Sequence, residues 1–378
     1  MNSRFLEKFI YIILLCLPVY LIRFSIFQIP FTFLEVLILL LFIIFLIHFK
    51  AKFSLGSYKY IILSFILISL FASINAVDQI KAFGLFKAYI IEPILFFIVL
   101  INVRPNFSKV IKSLGMGALF VSLIGLIQYI FGYGIPSPWN IRGAEFRITS
   151  VFEYPNAVGL YLTPIIILFL GNIILLKKDK YFSLSVIIFS VFSIAVAATQ
   201  GAVVAVLMAL FFLGFFTKYK KYFISLFIVC IVISLIVPGI REIILFKDTS
   251  GDVRLALWQG TVNLIKDRPL IGAGLASFPE IYAEYKLDKH VELLLYPHNI
   301  FLNFWVEFGL LGLIWLFWVL INFFKTCFKY YKPITITLCA TMIGILIYGL
   351  VDVPYFKNDL ATIFWTILGL MEITNSSH

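Results

Sequence analysis

Long apolar runs, separated by short polar intervals, occupy almost the whole chain. A helix needs about 20 apolar residues to cross a hydrocarbon core of about 30 Å. The pattern therefore predicts an all-α membrane protein with about twelve transmembrane helices. The predicted spans are 6–24, 31–48, 58–75, 83–102, 110–131, 155–176, 182–198, 200–217, 222–238, 299–324, 334–351 and 358–372.

Composition supports a membrane location. Hydrophobic residues make up 62% of the 378, and the mean hydropathy is +1.06. A soluble chain of this length could not hide so much apolar surface, so the bilayer is the expected solvent. We see no internal repeat and no low-complexity linker, and predict a single polytopic membrane domain over residues 1–378.

Lysine and arginine recur in every second interval between the predicted spans, as in Lys50, Lys52 and Lys59. The positive-inside rule places such intervals in the cytoplasm. Both termini are then cytoplasmic, and the intervals 132–154 and 239–297 lie outside. The net charge of +11 is explained by topology and by attraction to anionic membrane lipids, so no nucleic-acid partner is predicted.

The interval 239–297 is predicted to be a large extracytoplasmic loop, and it holds nearly a third of the chain's charged residues. Apolar residues recur at helical spacing over Asp252–Asp267, which predicts an amphipathic helix. Arg254 lies one turn before Trp258, on the edge of the apolar face. A second short helix is predicted over Ser277–Tyr285.

His298 closes this loop at the predicted mouth of the tenth span, directly after Pro297. The positive end of a helix dipole disfavours a charged imidazole, so a neutral histidine able to accept a proton is predicted. Asn299, Asn303 and Glu307 continue inward at four-residue spacing. Such a polar stripe is expected to face the bundle interior rather than lipid.

Two arginines, Arg142 and Arg147, lie in the smaller outer loop. Guanidinium groups grip phosphate oxygens bidentately, so the pair fits an anionic headgroup or a diphosphate. The four histidines do not pair at metal-ligand spacing, and no nucleophile-elbow pattern occurs. We therefore predict no metal and no cofactor.

Each candidate also has a simpler structural interpretation. His298 beside a tyrosine fits an anchor at headgroup level, and Arg254 fits a side chain reaching out to water. Glu307 fits a packing network between helices. The two arginines of the smaller loop fit a solvated surface.

Four segments of the second half carry a resemblance to a known family: Gly251–Trp258, Arg268–Gly274, Pro297–Leu302 and Glu307–Gly312. In this order and spacing they are similar to the O-antigen ligase and O-antigen polymerase superfamily, which are polytopic bacterial membrane glycosyltransferases. The segment from Arg147 to Gly159 also resembles the family's sequence ahead of its sixth span.

The resemblance implies transfer of a glycan from a polyprenyl-diphosphate carrier to an acceptor hydroxyl, with inversion and without metal, at the outer face of the bacterial cytoplasmic membrane. His298 would deprotonate or orient the acceptor hydroxyl, and Arg254 would neutralise the departing diphosphate. The partners are that donor, a glycan or lipid acceptor, and membrane lipids. Substrate contacts are expected from Arg142, Arg147, Gln200, Arg268, Asn299 and Glu307.

One position departs from the family pattern. Gln200 stands where many members carry an arginine at the start of the eighth span. Either Arg142 or Arg147 supplies the missing charge, or the diphosphate binds more weakly. Ligase and polymerase activities are not separated by these residues. The competing hypotheses are a lipid-linked oligosaccharide flippase or other transporter, and a non-catalytic assembly or sensor protein.

Overall fold

A computed structural model of the protein describes residues 3–26, 29–50, 52–141, 146–287 and 294–375, and most of these are helical. Within that part of the chain the α-helices are α1 Ser3–Leu15, α2 Phe33–His48, α3 Lys59–Ile74, α4 Gln79–Phe86, α5 Glu92–Val103, α6 Phe107–Phe131, α7 Pro155–Gly171, α8 Lys180–Val196, α9 Gln200–Phe215, α10 Lys220–Ile236, α11 Pro238–Ile244, α12 Thr249–Asp267, α13 Phe278–Tyr282, α14 Ile300–Tyr330, α15 Pro333–Gly349 and α16 Asn358–Asn375.

Each of the twelve predicted spans contains an apolar helix. By length and composition, five helical segments of the described residues can cross a membrane, or six if the bent pair of α10 with α11 and α12 is one span. The helices α2, α8, α9 and α15 are apolar but shorter. At 1.5 Å per residue each of them reaches only about 25 Å. The protein is a helical membrane protein, and the count of twelve spans stays a prediction.

The first predicted span, 6–24, is wrong in its second half. Helix α1 ends at Leu15, and a 3₁₀ turn follows over Leu17–Leu21 with Pro18 in its first turn. Proline cannot donate a backbone hydrogen bond inside an α-helix, so the helix stops before it. Beyond the turn, β1 (Arg23–Ile26) pairs antiparallel with β2 (Ile29–Thr32), a hairpin that the all-α prediction missed.

The core lies around α7, α15 and α16. Nearly every residue of α7 and α16 is buried; α15 packs against α7 and α9, while α16 packs against α5. In contrast, α10 buries none of its residues although it is mostly apolar after its first two lysines. An apolar helix with no buried face is what lipid contact requires, because lipid replaces the protein core as its solvent.

The segment 239–297 contains α11, α12 and α13, and the chain bends by 97° between α10 and the helices that follow. Asp248 begins α12 by accepting a hydrogen bond from the backbone of Gly251, so this helix starts three residues before the predicted Asp252. Its buried face includes Leu257 and Leu264 and faces α13 and α14. Helix α13 is shorter than the predicted Ser277–Tyr285.

A break in α14 receives the turn that follows α12. Gly309 has φ +69°, a conformation that interrupts the helix and that glycine adopts without a Cβ penalty. The carbonyl of Val306 accepts hydrogen bonds from Ala273 at 2.7 Å and from Gly274 at 3.2 Å. A Cβ on Gly309 would collide with the carbonyl of Leu270. The segments Arg268–Gly274 and Glu307–Gly312, which carry the family resemblance, therefore pack against each other through their glycines.

The predicted orientation is testable by cysteine labelling. We expect Ser250→Cys to react with an impermeant thiol reagent in intact cells and Lys220→Cys to react only after lysis, in a background without native cysteines. Residues 220 and 250 are both exposed on the protein surface, so a difference in labelling would report the side of the membrane and not burial. Labelling of Lys220→Cys in intact cells would reverse the topology.

Candidate functional site

His298 lies two residues before α14, with its backbone in the left-handed region at φ +47°. The indole of Trp258 on α12 donates a hydrogen bond to the carbonyl of Pro297 at 2.9 Å. Asn299 caps α14 by accepting from the backbone of Phe301 and Leu302. Contacts on both sides of His298 thus hold a backbone conformation that is uncommon outside glycine and that often marks a functional position.

The imidazole of His298 meets the carboxylate of Asp352, which follows α15. Nδ1 of His298 lies 3.3 Å from Oδ1 of Asp352, and only 1% of the Asp352 side chain is exposed. The backbone of Val353 donates to the same oxygen at 2.9 Å, and Asn156 donates to Oδ2 at 3.4 Å. Burial alone would raise the pKa of Asp352, but its contact with His298 and the hydrogen bond from the Val353 backbone together lower it.

This arrangement fixes the role of each ring nitrogen. With Nδ1–H of His298 donating to an ionised Asp352, Nε2 is left free to accept a proton. A separation of 3.3 Å is long for such a bond, and catalytic hydrogen bonds often tighten only when substrate binds. The pair therefore has the geometry of a general base held by a carboxylate.

Arg254 approaches the same place from α12. Its Nε donates to the carbonyl of Val351 at 3.1 Å, directly before Asp352. The guanidinium is therefore turned toward the protein and does not reach out to water, which was the simpler interpretation of this residue.

Arg147 approaches from the smaller loop and contacts the turn between α8 and α9. Its Nε donates to the carbonyl of Ala197 at 2.9 Å, and Nη2 donates to Oδ1 of Asn156 at 3.0 Å. Burial lowers its pKa, and the nearby Arg254 lowers it further. Arginine stays charged even so, and two cations close together favour an anion between them.

Arg147 and Arg254 line one cavity of about 450 Å³, which we call the arginine cavity. Gln200, at the first residue of α9, lines it too, as do apolar side chains such as Val204 and Ile243. The volume falls within the range of about 300–1,000 Å³ usual for small-molecule sites. Cationic groups beside an apolar wall suit an amphipathic anion.

The remaining predicted residues divide. Asn299 lies beside the arginine cavity and donates to the carbonyl of Leu350 at 3.1 Å. Glu307 is buried as the polar-stripe prediction requires, but it lines a different cavity and accepts from the backbone of Ala276 at 2.6 Å. Arg268 ends α12, about 21 Å along the helix from Arg254, and lines a third cavity. Arg142 lies outside the described residues.

Sequence reasoning missed Asp352 and the contacts of Asn156. Asp352 has 1% exposure at the end of an apolar helix, in a chain with only 19 acidic residues. A carboxylate just after a predicted span was the signal that could have identified it, because a buried charge is retained only with a partner. Among the described residues, no group of three or more His, Cys, Asp or Glu could hold a metal ion.

Residues 184–317 match the family model described as O-Antigen ligase. The matched segment is about a third of the chain. The match runs from α8 into α14 and includes Gln200, Arg254 and His298. The resemblance to the O-antigen ligase superfamily is thereby confirmed.

One relative is a Rickettsia conorii protein provisionally named a polysaccharide ligase. It is 35% identical over 102 residues, which is 25% of this chain and 23% of the relative. The match thus spans less than a quarter of the relative's length. The segment that matches the family model begins after Arg147 and ends before Asp352. Arg147 and Asp352 therefore lie outside the matched segment in sequence, but tertiary contacts bring them to residues inside it.

Asp352 gives a first prediction about the site. Asp352→Asn should keep the shape and an oxygen that accepts from Nδ1, because the Val353 backbone donates to that same oxygen. It removes the negative charge that stabilises the imidazolium formed when His298 takes the proton. We expect transfer to fall by about 10²–10⁴, as for loss of base function. The measurement is glycan transfer at matched membrane abundance. Asn156→Ala removes a 3.4 Å contact to Asp352 and a 3.0 Å contact to Arg147 but keeps the Asp352 carboxylate, so it should cost less than Asp352→Asn.

Proposed function

We propose that the protein transfers a glycan from a polyprenyl-diphosphate carrier to an acceptor hydroxyl at the outer face of the bacterial cytoplasmic membrane. One arrangement carries the proposal: Asn156, which lines the arginine cavity together with Arg147 and Arg254, also contacts the Asp352 carboxylate that meets His298. A proton acceptor beside an anion-binding cavity is what this reaction needs. The match to the O-antigen ligase family model supports the same substrate class.

The base acts on the acceptor. Nε2 of His298 takes the hydroxyl proton while the hydroxyl oxygen bonds to the anomeric carbon of the donor sugar. The bond from that carbon to the diphosphate oxygen breaks, and its electron pair leaves with the polyprenyl diphosphate. Carriers of this kind are alpha-linked, so a single displacement inverts the anomeric centre. Asp352 stabilises the imidazolium that forms.

The arginines act on the leaving group. Charge grows on the diphosphate as the bond breaks, and preorganised guanidinium groups stabilise it without reorganisation. Arg254 would bind the diphosphate directly. Arg147 reaches the turn that precedes Gln200 and lines the same cavity, which supports a role for it in supplying the charge that Gln200 lacks. The apolar wall of the arginine cavity suits the first isoprene units.

The alternative functions differ in where their polar residues would lie. A transporter is expected to hold its key groups near the bilayer midplane on broken helices. Here Arg147, Arg254 and His298 all lie at helix ends or in connections, on one side of the bundle. This distribution favours chemistry at one membrane face. Ligase and polymerase activities share this geometry.

The proposal is tested with purified protein in nanodiscs, using lipid-linked glycan from the producing strain and an envelope extract from a deletion strain as acceptor. We expect release of polyprenyl diphosphate together with a longer glycan product, unchanged in excess EDTA because the arginines neutralise the leaving group. Loss in EDTA with recovery in magnesium would contradict the metal-independent mechanism. Passage of intact donor across the bilayer without bond cleavage would identify a flippase.

A further inference from the structure

A second cavity, of about 270 Å³, adjoins His298 through the side chain of Tyr296. We call it the polar cavity. It lies between the β1 strand, α4, the start of α14 and the connection before α16, and neither Arg147 nor Arg254 lines it. Its charged and amide lining includes Arg23, Lys81, Glu153, Asn303, Glu307 and Lys357.

Two tyrosines form the wall nearest the histidine. The rings of Tyr296 and His298 lie 4.8 Å apart, edge to face, and the hydroxyls of Tyr296 and Tyr154 are 2.9 Å apart. Burial raises the pKa of both hydroxyls, so they stay neutral and able to donate. The ammonium of Lys357 lies 4.0 Å from the centre of the Tyr154 ring. The wall thus offers aromatic surface together with hydrogen-bond donors.

The opposite wall comes from α14 and supplies acceptors. Asn303 is 1% exposed, and its Oδ1 has no hydrogen-bond partner among the described residues. Glu307, one turn further in, is 6% exposed and receives the Ala276 backbone on Oε2. Buried carbonyl and carboxylate oxygens require donors, and a hydroxyl is one that fits in a small cavity.

The chemistry of this cavity differs from that of the arginine cavity. Three basic side chains and two carboxyls line the polar cavity, and only one of the basic groups, that of Arg23, is a guanidinium; the arginine cavity has two guanidinium groups and one carboxylate, that of Asp248. Paired guanidinium groups suit a diphosphate, whereas ammonium groups beside carboxyls and amides suit hydroxyls. A sugar presents both hydroxyl donors and acceptors, with apolar C–H faces that pack on aromatic rings. The volume is below that of a pocket for a whole drug-sized ligand, which suits the end of a glycan.

We infer that the polar cavity binds the terminal sugar of the acceptor glycan and presents its hydroxyl to His298, while the arginine cavity holds the donor. The inference rests on the proposed function and adds the site of the second substrate. Asn303 is then a positioning residue for the acceptor. Its loss should raise the KM for acceptor and leave the KM for donor unchanged.

The kinetic test uses the nanodisc assay with the donor and the acceptor extract titrated separately. Asn303→Leu keeps the side-chain volume and removes both polar atoms, so the apparent KM for the acceptor extract should rise about tenfold, the effect of losing one or two hydrogen bonds. Asn303→Asp keeps an acceptor oxygen, so its apparent KM for the acceptor extract should lie between those of the wild type and Asn303→Leu. Asn322→Leu, about five turns further along the same helix, is the control and should match the wild type. An equal rise in donor KM, or no change in either, would overturn the inference.

A second measurement places the sugars directly. The photoreactive residue p-benzoylphenylalanine replaces Leu295 at the polar cavity, or Ile244 at the arginine cavity; both side chains are exposed at those cavities. With donor alone, the photoreactive residue at position 244 should crosslink to glycan. With acceptor extract alone, the photoreactive residue at position 295 should do so. A polymerase uses its donor also as acceptor. Crosslinking of donor at position 295 that disappears in the Asn303→Leu variant would therefore also support the inference and identify a polymerase.

The two levels of failure are distinct. Crosslinking of glycan at position 244, with none at position 295 from either the donor or the acceptor extract, would overturn the acceptor site and leave the proposed function standing. An absence of glycan at both positions, with no product in the nanodisc assay, would overturn the proposed function and with it the inference.

Discussion

His298→Ala should abolish glycan transfer while the protein remains folded and inserted. Removing a general base costs about 10²–10⁴ in rate, and no other described histidine lies near Asp352 to replace it. The imidazole is also partly exposed, at 18%, so its removal leaves no large core cavity. The measurement is surface glycan in cells lacking the native gene, at matched abundance of each variant.

Two further variants separate chemistry from folding. His298→Asn tolerates the left-handed backbone at φ +47° and can still donate to Asp352, but it has no basic nitrogen. It should be as inactive as His298→Ala. His48→Ala, at the other end of the bundle on α2, should transfer normally. Near-normal transfer by either His298 variant would show that this histidine is a headgroup-level anchor.

The sequence predicted the positions of the helices well, because their apolar runs are long. All twelve predicted spans contain a helix, and Arg254, His298 and Gln200 were selected from short motifs that the structure brings near one another. The polar stripe on α14 was also right in direction, since Asn303 and Glu307 are buried.

What the sequence could not predict came from contacts between distant segments. Asp352 lies 54 residues beyond His298 and belongs to no local motif, so only the packing of α15 against the α14 mouth shows the pairing. Likewise, the resemblance implied that Glu307 contacts substrate together with Arg147 and Gln200, whereas Glu307 lies with Asn303 on a face of α14 that lines a second cavity. Periodicity describes one helix at a time, and a site assembled from several helices needs their relative positions.

Arg254→Ala should be nearly as severe as loss of His298. The guanidinium lines the arginine cavity and is held by the carbonyl of Val351 at 3.1 Å, so it is preorganised where charge develops on the leaving diphosphate. Removal of one such group typically costs about 10²–10³ in kcat. The measurement is kcat in the nanodisc assay at saturating donor.

Arg254→Lys distinguishes bidentate binding from charge alone. An ammonium carries the same charge but cannot grip two phosphate oxygens in one plane, so we expect it to recover little of the lost rate. Lys266→Ala, on an exposed position of the same helix, should leave kcat unchanged. Gln200→Arg should partly compensate Arg147→Ala, because both side chains line the same cavity and the substitution restores one positive charge there. If Arg254→Lys retained full activity, the diphosphate would need only a nearby charge, and the arginines would act through the field of the cavity rather than through direct paired hydrogen bonds.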